Sequence, residues 1–213
     1  MDVMEIIQPF AVTPWEERIQ TMIQPERERA VETANATEGM LASTSSSERN
    51  GKIGMGGFTW DTLLGRSIGV PYGYSVTLGA RTEQKPYTAE LAAIAKAMAD
   101  IVETMRGQPH LFQGRQTTVF SSNQAALLSV SQPKQLSGQT SIRQIYDAIR
   151  SLRERGNQVL MVWVPRKSEF ELGKRAKAAA QQATKQESTP GGHKQILSGD
   201  GHSTARQAHP HAV

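Results

Sequence analysis

The stretch YTAELAAIAKAMADIVETMRGQP, Tyr87 to Pro109, followed by TTVFS at Thr117 to Ser121, decides the fold. Leu91, Ile94, Ala95, Met98, Ile101, Val102 and Met105 recur at helical spacing, which predicts one long helix over 88–106. Thr88 begins it, and Gly107 and Pro109 stop it. Thr117 to Ser121 is β-branched and aromatic, a strand by composition. Upstream, Lys52 to Trp60 and Tyr74 to Leu78 alternate as strands about a turn at Gly69, Pro71 and Gly73, so they predict a hairpin. Leu41 to Ser47, LASTSSS, is a weaker strand because serine packs poorly on a pleated surface. Downstream come a short helix over 123–130 and a second with Ile142, Ile145, Tyr146, Ile149 and Leu152 on one face. The apolar strand Gln158 to Val164 follows, then an Ala-rich helix over 171–186 with Leu172 as its one large apolar anchor. Strands first and helix-linked strands afterwards predict an α/β fold, a five-stranded mixed sheet flanked by helices, antiparallel at its start and parallel after the helix.

The chain has 213 residues, and its five Phe, four Tyr and three Trp all fall between Phe10 and Phe170. One domain with two ends is therefore expected. Residues 1–38 form a lead-in punctuated by Pro9, Pro14 and Pro25, with a short helix near 25–35; residues 39–187 form the domain, and 188–213 a disordered tail rich in Gly, His and Ser. Four of the five His lie in that tail, and His209 and His211 about Pro210 are too irregularly spaced for a metal site. Cysteine is absent, which excludes disulfides, thiolate metal sites and cysteine nucleophiles. The opening MDVMEIIQPFAV carries Asp2 and Glu5 where a secretory leader is basic, and no run approaches 18 apolar residues. These features predict an intracellular protein, cytoplasmic or nuclear, that is not secreted and has no membrane partner. Twenty-four Lys and Arg against 20 Asp and Glu give a net charge of +4, compatible with a polyanionic partner without requiring one.

Four strings in order resemble the type 1 ribonuclease H domain. Tyr87 to Ile94 resembles the start of its first helix, where a glutamate one turn in faces metal. Val119 to Leu127, VFSSNQAAL, resembles its strand-to-helix turn; Val162 to Pro165, VWVP, resembles its last strand, and the Ala-rich helix stands where the family has its final catalytic helix. More narrowly, Ile6-Ile7-Gln8-Pro9-Phe10 and Pro14-Trp15 resemble the linker that joins reverse transcriptase to the ribonuclease H end of non-LTR retrotransposon polyproteins of filamentous fungi. The resemblance implies a separated transposon fragment, either domesticated or decaying.

It also implies a chemistry. The family cleaves the RNA strand of an RNA/DNA hybrid with two divalent ions, Mg or Mn, about 4 Å apart and held by carboxylates. Of the four acid positions, only Glu90 keeps its carboxylate in this chain. On the family's pattern, Ser45, Ser122 and Lys177 occupy the other three, and Lys167 occupies the position of the loop histidine. Hydroxyls bind such ions weakly without charge, and an ammonium repels them. The expectation is a pseudoenzyme with no metal and no cofactor, with Mg or Mn binding only if other acids have rebuilt the site.

Two function classes stay open on the sequence. The first is a non-catalytic module that binds an RNA/DNA hybrid, another nucleic acid or an unidentified protein partner. The second is a hybrid ribonuclease with a rebuilt metal site. Arg166, Lys167, Lys174 and Arg175, with Lys177 and against Glu169 and Glu171, form a basic run that is either a solvated helix face or a phosphate-contacting surface. Glu90 is either a surviving metal ligand or an ordinary first-turn acid favoured by the helix dipole. Trp163 suits a core better than a stacking platform. Gly54 to Gly57 lacks the helix and Lys-Ser/Thr of a phosphate loop, and suggests close approach between strands.

Overall fold

The computed structural model describes residues 10–13, 15–65, 73–134 and 137–185. The strands β1 (Gln20–Met22), β2 (Met40–Arg49), β3 (Lys52–Asp61), β4 (Gly73–Ala80), β5 (Gln116–Ser121) and β6 (Gln158–Trp163) form one sheet in the order β1-β6-β5-β2-β3-β4. Strands β2, β3 and β4 pair antiparallel; β2 with β5, β5 with β6 and β6 with β1 pair parallel. The mixed sheet and its change of direction match the expectation, but there are six strands rather than five. The sixth comes from the segment read as a lead-in. Gln20–Met22 is three residues long and carries no period of its own, so only pairing with β6 makes it a strand.

That segment is tied down at several points. The Phe10 ring sits 5.0 Å from that of Tyr146, and the Phe10 amide donates to Gln139 Oε1 at 2.7 Å. Arg150 pairs with Glu16 at 3.0 Å, and Arg153 donates to the Glu17 carbonyl at 2.7 Å. The helix expected near 25–35 is α1 (Arg27–Ala36). The turn at Gly69 and Pro71 and the tail beyond residue 187 lie outside the described residues.

β2 forms in spite of its serines because it is central, bonded to β3 on one side and β5 on the other. Its hairpin with β3 turns at Asn50-Gly51, where φ is 53° and 69°. Positive φ at two successive residues twists the chain to suit the strands it joins, and Asn-Gly is the pair that adopts it most readily. The sheet buries both faces. The long helix is α2 (Pro86–Gly107), with Pro86 in its first turn and the Thr88 hydroxyl donating to the Lys85 carbonyl at 2.9 Å. A short turn, α3 (Pro109–Phe112), follows it. With α4 (Gln124–Ser131) and α5 (Gln139–Arg153), α2 covers one face, burying Leu91, Ile94, Met98, Leu127, Ile145 and Ile149 with Met40 and Ala42.

The other face carries α1 and α6 (Glu171–Ala183), over a smaller core of Ala34, Leu41, Phe120, Val162, Val164 and Phe170. Gly54 and Gly56 of β3 receive this helix, whereas Gly57 makes room for the Tyr74 ring of the neighbouring strand β4, so the close approach between strands that the sequence suggested holds at Gly57 only. A Cβ on Gly56 would lie 2.3 Å from the Ala180 amide nitrogen, and one on Gly54 would lie 2.6 Å from the Ala183 Cβ. Ala176, Ala179, Ala180 and Ala183 are the buried residues of α6, so alanine meets glycine at backbone distance. Ser75 and Thr77 of β4 hydrogen-bond the Ala179 and Ala183 carbonyls at 2.7 and 2.5 Å and lock the helix lengthwise.

At the other end of the sheet, Asp61 closes β3 against Arg115 with two bonds of 2.6 and 2.7 Å. Asp61 also accepts from the Leu63 and Leu64 amides. Its side chain is fully buried and that of Arg115 is 11% exposed. Burial alone would raise the Asp61 pKa. Arg115 and the two amides outweigh it and hold the carboxyl below the ordinary aspartate value.

Two stability predictions follow from these contacts. Gly56→Val should lower the unfolding free energy by about 3 kcal/mol or more, because backbone on α6 has nowhere to move, whereas Gly51→Ala, with open space about it, should cost only its positive-φ strain, about 1 kcal/mol. Because the folded pKa of Asp61 is depressed, its contribution is complete above the unfolded value near 3.9 and fades as pH falls through the folded one. Urea titrations of the wild type and Asp61→Asn should therefore differ by about 3 kcal/mol at pH 7 and converge as pH falls through the depressed folded pKa.

Candidate functional site

β2 and β5 run parallel through the centre of the sheet, with Thr44 opposite Ser121 at the end of their pairing. Side chains alternate along each strand. Ala42 and Val119 face α2, so Thr44 and Ser121 do also, while Leu41 and Phe120 belong to the α6 side. Glu90, one turn into α2, meets the first pair: its Oε1 accepts from Thr44 Oγ1 and from Ser121 Oγ, each at 2.8 Å. The carboxyl is 1% exposed. It is the hub of a buried hydroxyl network that ties α2 to two strands.

Over the same strand ends, a cavity of about 340 Å³ opens toward α6. Its floor is Ser43 to Ser45 and Phe120 to Ser122, and its wall is the loop from Val164 to Phe170 with Gly173, Lys174 and Lys177 of α6. Both ends of that loop are pinned. The Val164 amide donates to the Ser121 carbonyl at 3.0 Å, Trp163 Nε1 donates to the Ser122 carbonyl at 3.3 Å, and Phe170 packs on Phe120 with ring centroids 4.7 Å apart. Trp163 thus serves the packing under the loop, partly buried against the core.

The structure brings Ser45, Ser122, Lys177, Lys167, Arg166 and Lys174 together around this one cavity. Glu90 is not among its lining; it lies beneath the floor with Thr44 and Ser121 between. Arg175 does not join them either. It points away, over the Phe58 ring at 4.9 Å and paired with Glu171 at 3.1 Å. Successive helical residues diverge by about 100°, so Lys174 and Lys177 share a face that Arg175 leaves.

Sequence reasoning missed Thr44, Ser121, Ser43 and Ser168. The period-two pattern from Leu41 onward assigns Thr44 a face, but which side chain meets Glu90 depends on the pairing of β2 with β5, which is a long-range fact.

The donor set does not fit a pair of divalent ions. The one acid in the cavity lining, Glu169, is bound to Lys174, whose ammonium it holds above the ordinary lysine range. Among the described residues no three His, Cys, Asp or Glu converge on a point. Arg166, Lys167 and Lys177 make no ion pair among those residues. The cavity is therefore cationic and rich in hydroxyls, a composition that accepts anions.

The Glu90 network makes a stability prediction. Glu90→Gln keeps the accepting oxygen and should change the unfolding free energy by less than about 1 kcal/mol, whereas Glu90→Ala removes the acceptor that two buried hydroxyls share and should cost about 2–3 kcal/mol in a urea titration. Equal losses for the two variants would show that shape, not the hydroxyl bonds, matters at this position.

No protein-family profile matches the sequence, and no curated protein matches it. Solved structures do. The N-terminal ribonuclease H domain of a Mycobacterium tuberculosis protein, determined as a fusion with maltose-binding protein, superposes with a TM-score of 0.52 at 15% identity, over 68% of this chain and 98% of that one. The ribonuclease H1 of Halobacterium salinarum gives 0.44 at 14% identity, over 68% of this chain and 97% of that one. A compost-derived ribonuclease H1 in complex with an RNA/DNA hybrid gives 0.48 at 15%, over 68% and 99%. The mixed sheet, its strand order and the first of these superpositions give one conclusion: this chain has the ribonuclease H-like fold.

Proposed function

We propose that this protein is a ribonuclease H-fold nucleic-acid-binding protein that holds an RNA/DNA hybrid without cleaving it. One observation carries the reading: where the fold's catalytic acids are expected, the cavity presents Arg166, Lys167 and Lys177, without an ion pair among the described residues, together with Lys174 and serine hydroxyls. A site of acids collects metal ions and acts on phosphate through them; a site of cations contacts phosphate directly. Phosphate contact of this kind is independent of sequence, and a hybrid duplex is recognised by its shape and backbone. An active ribonuclease would need at least two further carboxylates about Glu90, and the neighbours of Glu90 are hydroxyls. The origin we propose is a retrotransposon ribonuclease H domain, supported by the Ile6 to Phe10 string and Pro14-Trp15. No helix among the described residues is long and apolar enough to cross a membrane.

The test pairs cleavage with binding. A labelled hybrid incubated with Mg or Mn should stay intact; metal-dependent cleavage lost in Glu90→Gln would overturn the proposal. In the absence of divalent ions the hybrid should bind, with affinity falling as salt rises at a log–log slope of about −3, the value for about three neutralised phosphates. Lys167→Ala should reduce that slope by about 1, and Arg175→Ala, outside the cavity, should leave it unchanged.

A further inference from the structure

The cavity is more cationic than a passing backbone phosphate requires. A phosphodiester carries one negative charge, whereas a phosphomonoester carries about 1.5 to 2 at neutral pH. Arg166, Lys167 and Lys177 line one enclosure with no acid among the described residues to neutralise them; Glu169 is already committed to Lys174. The dipole of α6 adds to the positive field, its first-turn acid Glu171 being paired with Arg175 outside the cavity. Its N-cap, Phe170, has no side-chain capping bond, and Gly173 of that turn lines the cavity.

Ser122 and Ser168 supply hydroxyls that make no hydrogen bond among the described residues, while Thr44 and Ser121 are spent on Glu90. The enclosure, about 340 Å³, is of the size that takes a small ligand rather than a single ion. Because its loop is pinned at Val164 and Phe170, the cations need little reorganisation to meet a ligand.

We infer that this cavity binds a phosphomonoester, the terminal phosphate of a nucleic-acid strand, with Lys177, Lys167 and Arg166 holding its oxygens and Ser122 and Ser168 donating to them. The inference rests on the reading of the protein as a nucleic-acid binder and narrows it from backbone to strand end. A free nucleotide carries the same group, so the experiment separates the two sources.

The full-length protein is titrated, by fluorescence anisotropy at constant salt and without divalent ions, into one blunt hybrid prepared with hydroxyl ends, with 5′-phosphates or with 3′-phosphates. Adenosine monophosphate is tested separately by thermal shift. The expected result is a preference of about tenfold for one phosphorylated end over the hydroxyl end. Lys177→Met should abolish it and Arg175→Ala should retain it. Should Lys177→Met fail to fold, Lys167→Ala, on the exposed loop, carries the same comparison. Equal affinity for all three hybrids overturns the inference and leaves nucleic-acid binding standing. If no hybrid binds but the nucleotide stabilises the wild type and not the lysine variant, the phosphomonoester site stands and the hybrid reading falls. If neither binds, both are overturned.

Discussion

The approach of α6 to β3 at backbone distance is the contact on which the site depends. Gly54 and Gly56 leave room that Ala176, Ala179, Ala180 and Ala183 fill, and no larger residue on either side could be accommodated without moving main chain. A helix seated that closely cannot roll or slide. Ser75 and Thr77, bonded to its carbonyls, set its position along the sheet. The direction of Lys174 and Lys177 follows, because side chains one turn apart on a fixed helix share a fixed face. The weak point of α6 in the sequence, its shortage of large apolar residues, is therefore what allows it to hold two lysines over the strand ends.

A second consequence of the same architecture is the separation of Glu90 from the cations. In the sheet, adjacent residues face opposite sides, so Thr44 and Ser121 turn toward α2 while Ser45 and Ser122 line the floor on the side of α6. The carboxyl is covered by two hydroxyls and becomes a structural tie. The cations stay on the other side of the floor, free of the one buried acid nearby. Serine and lysine at the strand ends give the floor and wall on the α6 side a positive, hydroxyl-rich surface, while the Glu90 carboxylate is held on the α2 side.

Much of the fold was legible in the chain. The helical period from Leu91 to Met105, the strand TTVFS and the strand QVLMVWV are strong local signals, and their order requires helix-linked parallel strands after an antiparallel start. Of the residues singled out in the chain, Ser45, Ser122, Lys167 and Lys177 meet around one cavity, with Glu90 beneath its floor. Other features were hidden for physical reasons. Gln20–Met22 has no period in three residues and exists because β6 offers an edge to it. Asn50-Gly51 is a turn signal, but the serine-rich strand before it masked the hairpin. Arg175 looked equivalent to Lys174 in a list of basic residues, yet a rotation of about 100° along the helix carries it onto Phe58.

By itself the sequence determined the long helix after Pro86, the strands about Thr117 to Ser121 and Gln158 to Trp163, and the absence of cysteine chemistry, because period, composition and residue identity are local properties of the chain. The tertiary structure alone decided that Glu90 is buried on two hydroxyls, that Arg166, Lys167 and Lys177 converge on one cavity, and that Gly54 and Gly56 of β3 face a helix. The two bonds to Glu90 span 46 and 31 positions, and all of these relations are created when strands pair and a helix docks. No periodicity in the chain encodes the distance between two side chains that meet only after the sheet has formed.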